Sequence, residues 1–120
     1  IAEVMIVAED VPKVAGDYAN LVEGQVTVLH GGIRVVDLAD SRLSFRTPRG
    51  YREQYGDLAS DMGGRSAIFG SLIFRTSSLA LVADTLGVME NPPPAVIGNE
   101  SIVIRLPDYD SVIEFIGPEE

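Results

Sequence analysis

The chain has 120 residues, a size typical of one domain that buries a core without disulfide support. It contains no cysteine, which excludes thiolate catalysis, zinc-thiolate sites and iron-sulfur clusters. Nine basic and eighteen acidic residues give a net charge of −9, and such a surface repels nucleic-acid phosphates and anionic lipid. We therefore expect a globular domain with no nucleic-acid partner and no membrane partner.

The ends of the sequence carry little targeting information. The chain begins at Ile1 and shows neither a charged leader with a cleavage site nor an apolar run near the roughly 18 residues that a membrane span needs. We expect a cytoplasmic location, and we expect the chain to be a piece of a longer protein.

The first half predicts the order βαβββ. An apolar strand over residues 1–8 is followed by Asp10, which can cap a helix, and by Pro12 in the first helical turn. The spacing predicts a helix that Gly24 ends, with a buried stripe of Val14, Tyr18, Leu21 and Val22. Strands over residues 25–30 and 33–38, joined by the two-residue turn Gly31-Gly32, and a strand over residues 42–47 complete this half.

The second half repeats the same order. A strand over residues 67–75 precedes Ser78, a second potential cap, and a helix with a stripe of Leu79, Val82 and Leu86 that Gly87 ends. The prolines at 92–94 predict an extended loop, and three strands follow over residues 95–97, 101–106 and 111–116. Asp10 and Ser78 are separated by nearly the same number of residues as Phe45 and Phe115. The spacing therefore indicates a tandem repeat.

We interpret the chain as one domain with module one at residues 1–47, a connector at 48–65 and module two at 66–120. Each half alone is short and presents a half-apolar sheet that needs covering. Thr47-Pro48 can start a short connector helix that carries Tyr51 and Tyr55. We expect these tyrosines to anchor that helix on the domain, with a lid over a pocket as the alternative.

Three stretches resemble the glyoxalase-like domain of the vicinal oxygen chelate (glyoxalase/bleomycin resistance/dioxygenase) superfamily. They are EVMIVAEDVP at residues 3–12, the strands from GIRVV at 32–36 to LSFRTP at 43–48, and SVIEF at 111–115. The resemblance implies an α+β fold of two βαβββ modules that form a curved mixed sheet, with helices on the convex side. It also implies that this piece is the C-terminal copy in a longer protein.

The resemblance further implies four positions for metal ligands on the first and last strands of each module. Here they hold Glu3, Ser44, Ser71 and Glu114. A neutral serine hydroxyl is a poor substitute for the imidazole or carboxylate that divalent metals require. We therefore expect no cofactor, with a divalent metal ion as the alternative.

Period-two alternation predicts which side chains face the cleft. The predicted ligand-binding cleft contains Glu3, Arg42, Ser44, Arg46, Ser71 and Glu114, with Arg34 and Arg75 as further candidates. The arginines could bind a carboxylate-bearing small molecule, or they could pair with the two glutamates. The single histidine, His30, is predicted to flank a turn at the surface, and catalytic residues stay unknown.

The favoured function is a glyoxalase-like domain with a degenerate metal site, acting as a small-molecule-binding or architectural half of a larger protein. Two alternatives stay open. One is a metal-dependent lyase, isomerase or dioxygenase of the same superfamily, so the sequence leaves open whether the chain is an enzyme. The other is a dimerisation module, acting as a homodimer or by pairing with another copy of the domain.

Overall fold

The computed structural model describes residues 1–118, so the last two residues of the predicted second module lie outside the described residues. The strands are β1 (Glu3–Ala8), β2 (Thr27–Val28), β3 (Arg34–Asp37), β4 (Arg42–Arg46), β5 (Ala67–Arg75), β6 (Ala95–Ile97), β7 (Ser101–Leu106) and β8 (Ser111–Ile116). The helices are α1 (Val11–Leu21), α2 (Pro48–Tyr55) and α3 (Leu79–Val88). Among these described helices, none combines the length and the apolar character needed to cross a membrane.

All eight strands form one curved sheet in the order β2-β3-β4-β1-β5-β8-β7-β6. The first strands of the two modules, β1 and β5, are antiparallel neighbours at its centre. Each of them pairs in parallel with the last strand of its own module, β4 or β8. The predicted α+β class, the mixed sheet and its two βαβββ modules are thereby confirmed.

Helix α1 covers the outer, convex face of module one. Asp10 caps it by accepting a 3.2 Å hydrogen bond from the backbone N of Lys13. Its buried stripe is Val11, Ala15 and Ala19, whose small side chains bring the helix close to the sheet. The predicted stripe was partly wrong: Val14 and Tyr18 pack beside this stripe, whereas Leu21 is 78 % exposed.

Two connections in module one, the end of α1 and the loop between β2 and β3, differ from the prediction. Helix α1 ends before Gly24, and Glu23 takes the left-handed conformation (φ 56°). Gly31 and Gly32 also have positive φ, but they lie in a 3-10 turn starting at His30, so the loop between β2 and β3 is longer than two residues. His30 is the first residue of this turn, and its side chain is exposed at the surface as predicted.

Helix α3 covers the outer face of module two more loosely. Ser78 caps it by accepting a 3.1 Å hydrogen bond from the backbone N of Leu81. Gly87 was predicted to end the helix, but the helix continues to Val88, since Gly87 has ordinary helical backbone angles. Leu79, Val82 and Leu86 are only half-buried, and none of the residues described for this helix is buried.

Helix α2 of the connector lies on the inner, concave face. Thr47 caps it by accepting from the backbone N of Gly50 (3.1 Å). Tyr51 and Tyr55 are buried against inner-face side chains of the central strands. Those side chains are Met5 and Val7 of β1, Ile68 and Ile73 of β5, and Val112 of β8. The expectation that both tyrosines anchor the helix on the domain is confirmed.

A β-bulge at Gly70 makes room for this helix. The register between β1 and β5 shifts there, because Met5 lies opposite Ser71 while Ile6 lies opposite Phe69. The carbonyl of Gly70 accepts a 2.6 Å hydrogen bond from the Tyr51 hydroxyl. A Cβ on Gly70 would lie 2.5 Å from Cγ2 of Val7 and 2.9 Å from Cε1 of Tyr51. Only glycine fits this position without a shift of its neighbours.

We predict that Gly70→Ala lowers the free energy of unfolding by about 1–3 kcal/mol, because the added methyl overpacks a buried site. Gly16→Ala is the matched control. A Cβ there meets no atom within 4 Å, and the residue lies inside α1, so we expect stabilisation of about 0.5–1 kcal/mol. Urea unfolding of the two variants measures both effects, and equal stabilities would contradict this account of the bulge.

Candidate functional site

The inner face at the centre of the sheet carries the residues that the sequence placed in a cleft. The registers put Arg42, Glu3, Ile73 and Glu114 side by side on four neighbouring strands. In the next row, Ser44, Met5 and Ser71 lie on adjacent strands. Residues opposite one another in a sheet share a face. All four of the proposed ligand positions therefore face the same side.

Glu3 and Ser44 are joined directly. The Ser44 hydroxyl donates a 2.6 Å hydrogen bond to Oε2 of Glu3, although the two residues are far apart in sequence. The parallel pairing of β1 with β4 makes this contact, and Ser44 is almost fully buried. A serine at this position therefore serves as a hydrogen-bond donor to the carboxylate of the neighbouring strand.

Ser71 and Glu114 are joined through a residue that the sequence did not place in the cleft. The Tyr55 hydroxyl donates a 2.7 Å hydrogen bond to Oε1 of Glu114 and lies 3.1 Å from the Ser71 hydroxyl. Burial raises the pKa of the Tyr55 phenol well above its usual range, and its hydrogen bond to Glu114 raises it further. Tyr55 therefore stays protonated and keeps donating.

The predicted cleft arginines are mostly engaged at its edges. Arg42 donates to Asp37 (2.7 Å), which raises the pKa of that guanidinium. Arg75 is exposed and donates to the carbonyl of Gly117 (2.9 Å). Arg34 was wrongly placed in the cleft. It lies opposite Phe45, which packs against α1, so Arg34 is on the outer face.

Arg46 is the arginine closest to the tyrosines. Its Nη1 donates to Oε1 of Gln54 on α2, and its positive charge opposes the upward shift of the Tyr55 pKa. Its Nε is buried and has no hydrogen-bond partner among the described residues. Arg46 also lines a cavity of about 460 Å³ beside the Gly31-Gly32 turn, together with Glu53 and Gln54.

A second polar cluster, also missed by sequence reasoning, fixes the end of the connector. Arg105 on β7 donates to the Ser60 hydroxyl and to Oδ1 of Asp110, both at 2.7 Å. Its hydrogen bond holds the pKa of the Asp110 carboxyl below its usual range. Ser60 is buried and also donates from its backbone N to the Tyr51 hydroxyl (3.0 Å). The cluster therefore ties residues after α2 to the turn between β7 and β8.

The residues present do not fit a metal centre. Within residues 1–118, no group of three or more His, Cys, Asp and Glu side chains comes close enough to hold an ion. Glu3 and Glu114 flank Ile73, which puts their strands two spacings, about 10 Å, apart. Two carboxylates, with neutral serines at the other two positions, supply fewer charged or imidazole ligands than divalent metals take in proteins.

The comparisons with known proteins address the fold. Neither a protein-family model nor a curated protein sequence matches the chain significantly. Methylmalonyl-CoA epimerase from Mycobacterium tuberculosis superposes with a TM-score of 0.58 and 18 % identity, covering 99 % of this chain and 87 % of that one. A variant of the Streptomyces coelicolor methylmalonyl-CoA epimerase, in complex with 2-nitronate-propionyl-CoA, gives 0.57 and 15 % identity, with 100 % and 97 % coverage.

A hypothetical protein, BH1468 from Bacillus halodurans, is similar to the same degree, with a TM-score of 0.57, 13 % identity and coverage of 100 % and 94 %. The chain has the fold of these three proteins. Near-complete coverage on both sides means that the likeness extends over both modules and the connector. At these identities the likeness establishes the fold alone.

We predict that Tyr55→Phe changes how the stability of this domain depends on pH. In the wild type the folded state holds the Tyr55 proton more tightly than the unfolded state, whose tyrosine pKa is about 10. The resulting stability is complete below about pH 10 and is lost as the pH rises above it. Urea unfolding between pH 8 and 11 should show a steeper loss above pH 10 in the wild type than in Tyr55→Phe.

At pH 7 the same substitution should cost about 1–2 kcal/mol, since Glu114 and Ser71 lose a buried partner. Parallel pH profiles for the two proteins would show that Tyr55 is not held protonated by the fold.

Proposed function

We propose that this chain is a metal-independent domain with the vicinal oxygen chelate fold, acting as the architectural half of a larger protein. One observation carries the proposal. Both carboxylates at the ligand positions accept hydrogen bonds from protein hydroxyls, Glu3 from Ser44 and Glu114 from Tyr55. The side chains at these positions are already partnered by the chain itself.

The hydroxyl partners weaken cation binding for a simple reason. A donated proton and a metal ion compete for the same lone pair, so the Tyr55 hydroxyl leaves a metal only the remaining positions of the Glu114 carboxylate. Tyr55 cannot move away freely, because its ring is buried and packs edge-on against Tyr51 at 5.4 Å between centroids. Breaking the pair would also leave a buried hydroxyl without its acceptor.

The same contacts support an architectural role. Tyr55 bridges β5 and β8, and Tyr51 bonds the bulge of β5, so the connector is fastened to the inner face along its helix. Ser60 and Arg105 fasten the segment after α2. The inner face thereby holds the two modules and the connector together.

The small-molecule alternative centres on Arg46, whose buried Nε lacks a partner among the described residues. In that case Arg46→Ala should weaken binding of a carboxylate probe such as propionate and leave the melting temperature nearly unchanged. We expect the opposite result: a lower melting temperature, because the link from β4 to Gln54 on α2 is lost. Thermal unfolding with and without the probe distinguishes the two roles.

Metal analysis tests the proposal directly. We expect dialysed wild-type protein to retain less than one equivalent of manganese, zinc or nickel, and we expect added metal to leave its melting temperature unchanged. The triple variant Ser44→Glu, Ser71→His and Tyr55→Phe serves as the positive control. Its two new side chains, together with Glu3 and Glu114, give four metal-binding groups.

The decisive variants are Glu3→Gln and Glu114→Gln, which keep the size of each side chain and remove its charge. Tight, stoichiometric metal binding by the wild type that disappears in either variant would refute the metal-independent proposal and favour a metal-dependent enzyme of this fold.

A further inference from the structure

A cavity of about 430 Å³ lies between α3 and the outer face of β7 and β8. Helix α3 contributes Leu81, Val82 and Leu86, and the strands contribute Ile104, Ile113 and Phe115. The cavity is on the opposite side of the sheet from the residues of the candidate site. It is therefore independent of the proposed function of the inner face.

The cavity arises from one difference between the two repeats. In module one, Tyr18 lies eight residues after the cap Asp10, and its ring packs on Phe45 with 5.7 Å between centroids. In module two, the residue eight positions after the cap Ser78 is Leu86, and it faces Phe115 across the cavity. A leucine therefore stands where module one has an aromatic ring, Phe115 stacks instead on Phe74 of β5 with 5.8 Å between centroids, and the space beside α3 stays open.

The lining favours a hydrocarbon. None of its described residues is charged, and its one hydroxyl, that of Thr85, already donates to the carbonyl of Leu81 at 2.8 Å. A ligand polar group inside the cavity would find no side-chain partner there and would lose its hydration. A cavity of ~150 Å³ accommodates benzene, so this one has room for a chain or ring system of about ten carbons.

The charged residues near the cavity determine which polar head group a bound hydrocarbon can carry. Between Arg75 and Arg105 the sequence contains no lysine or arginine, while Asp84, Glu90 and Glu100 are acidic. Asp84 lies on α3 itself and Glu90 directly follows the lining residue Met89, whereas Glu100 lies farther away beside Arg75. A negatively charged head group would be repelled at the entrance, whereas a neutral or positive one would not.

We propose that the cavity beneath α3 binds a small molecule with a hydrocarbon body of about ten carbons and a neutral or cationic head group. Burial of the ligand's apolar surface supplies the affinity, and the acidic border supplies the discrimination. The ligand completes the packing of α3, which buries no described residue of its own, in the way that Tyr18 completes the packing of α1.

The test uses 1-decanol, decylamine and decanoate below their aggregation limits, with methyl-labelled protein followed by NMR. We expect saturable 1:1 shifts of the methyl groups of Leu86, Ile104 and Ile113, at least tenfold weaker for decanoate than for 1-decanol. Leu86→Phe fills the cavity and should weaken 1-decanol at least tenfold. Ala80→Phe adds the same ring on the same helix at an exposed position outside the lining and should bind like the wild type.

Three results would overturn the proposal. One is unsaturable shifts spread over exposed residues such as Val88 and Val96, which would mean surface adsorption. Another is unchanged binding in a folded Leu86→Phe. The last is a wild-type dimer in sedimentation that excludes the probes, because a second copy would then cover the cavity. The mapping on the wild type needs no variant, so it remains decisive if Leu86→Phe fails to fold.

Discussion

Pairing of β1 with β5 joins the two modules, and the hydrogen bond from Tyr51 to the Gly70 carbonyl is the contact on which this junction depends. The bulge at Gly70 takes a backbone carbonyl out of the regular ladder, and a buried carbonyl without a partner is costly. Tyr51 supplies that partner and receives a hydrogen bond from Ser60 in turn. The connector that links the two modules in sequence thus also supplies the hydrogen-bond donor for the bulge at which they pair.

The inner face shows how strand register brings hydroxyl groups to carboxylates. The strand registers still bring Glu3 and Ser44 together and place Ser71 near Glu114. Glu3 and Glu114 are half-buried, and half-buried carboxylates require hydrogen-bond donors to replace lost water. Ser44 and Tyr55 supply these donors, and their hydrogen bonds help to hold the sheet and α2 together.

Local signals in the sequence were enough to predict the repeat and the strand faces. The caps Asp10 and Ser78 act within one helical turn, and period-two alternation separates Ser44 from Phe45 whatever the tertiary structure. The contact of Tyr55 with Glu114 could not be predicted in this way, because it joins residues 59 positions apart through a helix of unknown direction. The α1 stripe was misjudged because large residues were favoured over the alanines that approach the sheet most closely.

The central place of β1 has a consequence for protein synthesis. The ribosome delivers module one before β5 exists, so in the nascent chain β1 is an edge strand with Met5 and Val7 uncovered. Its partner emerges only after the connector, which must close a long loop before the pairing forms. During that interval the unpaired edge of β1 is a template for pairing with a strand of another copy.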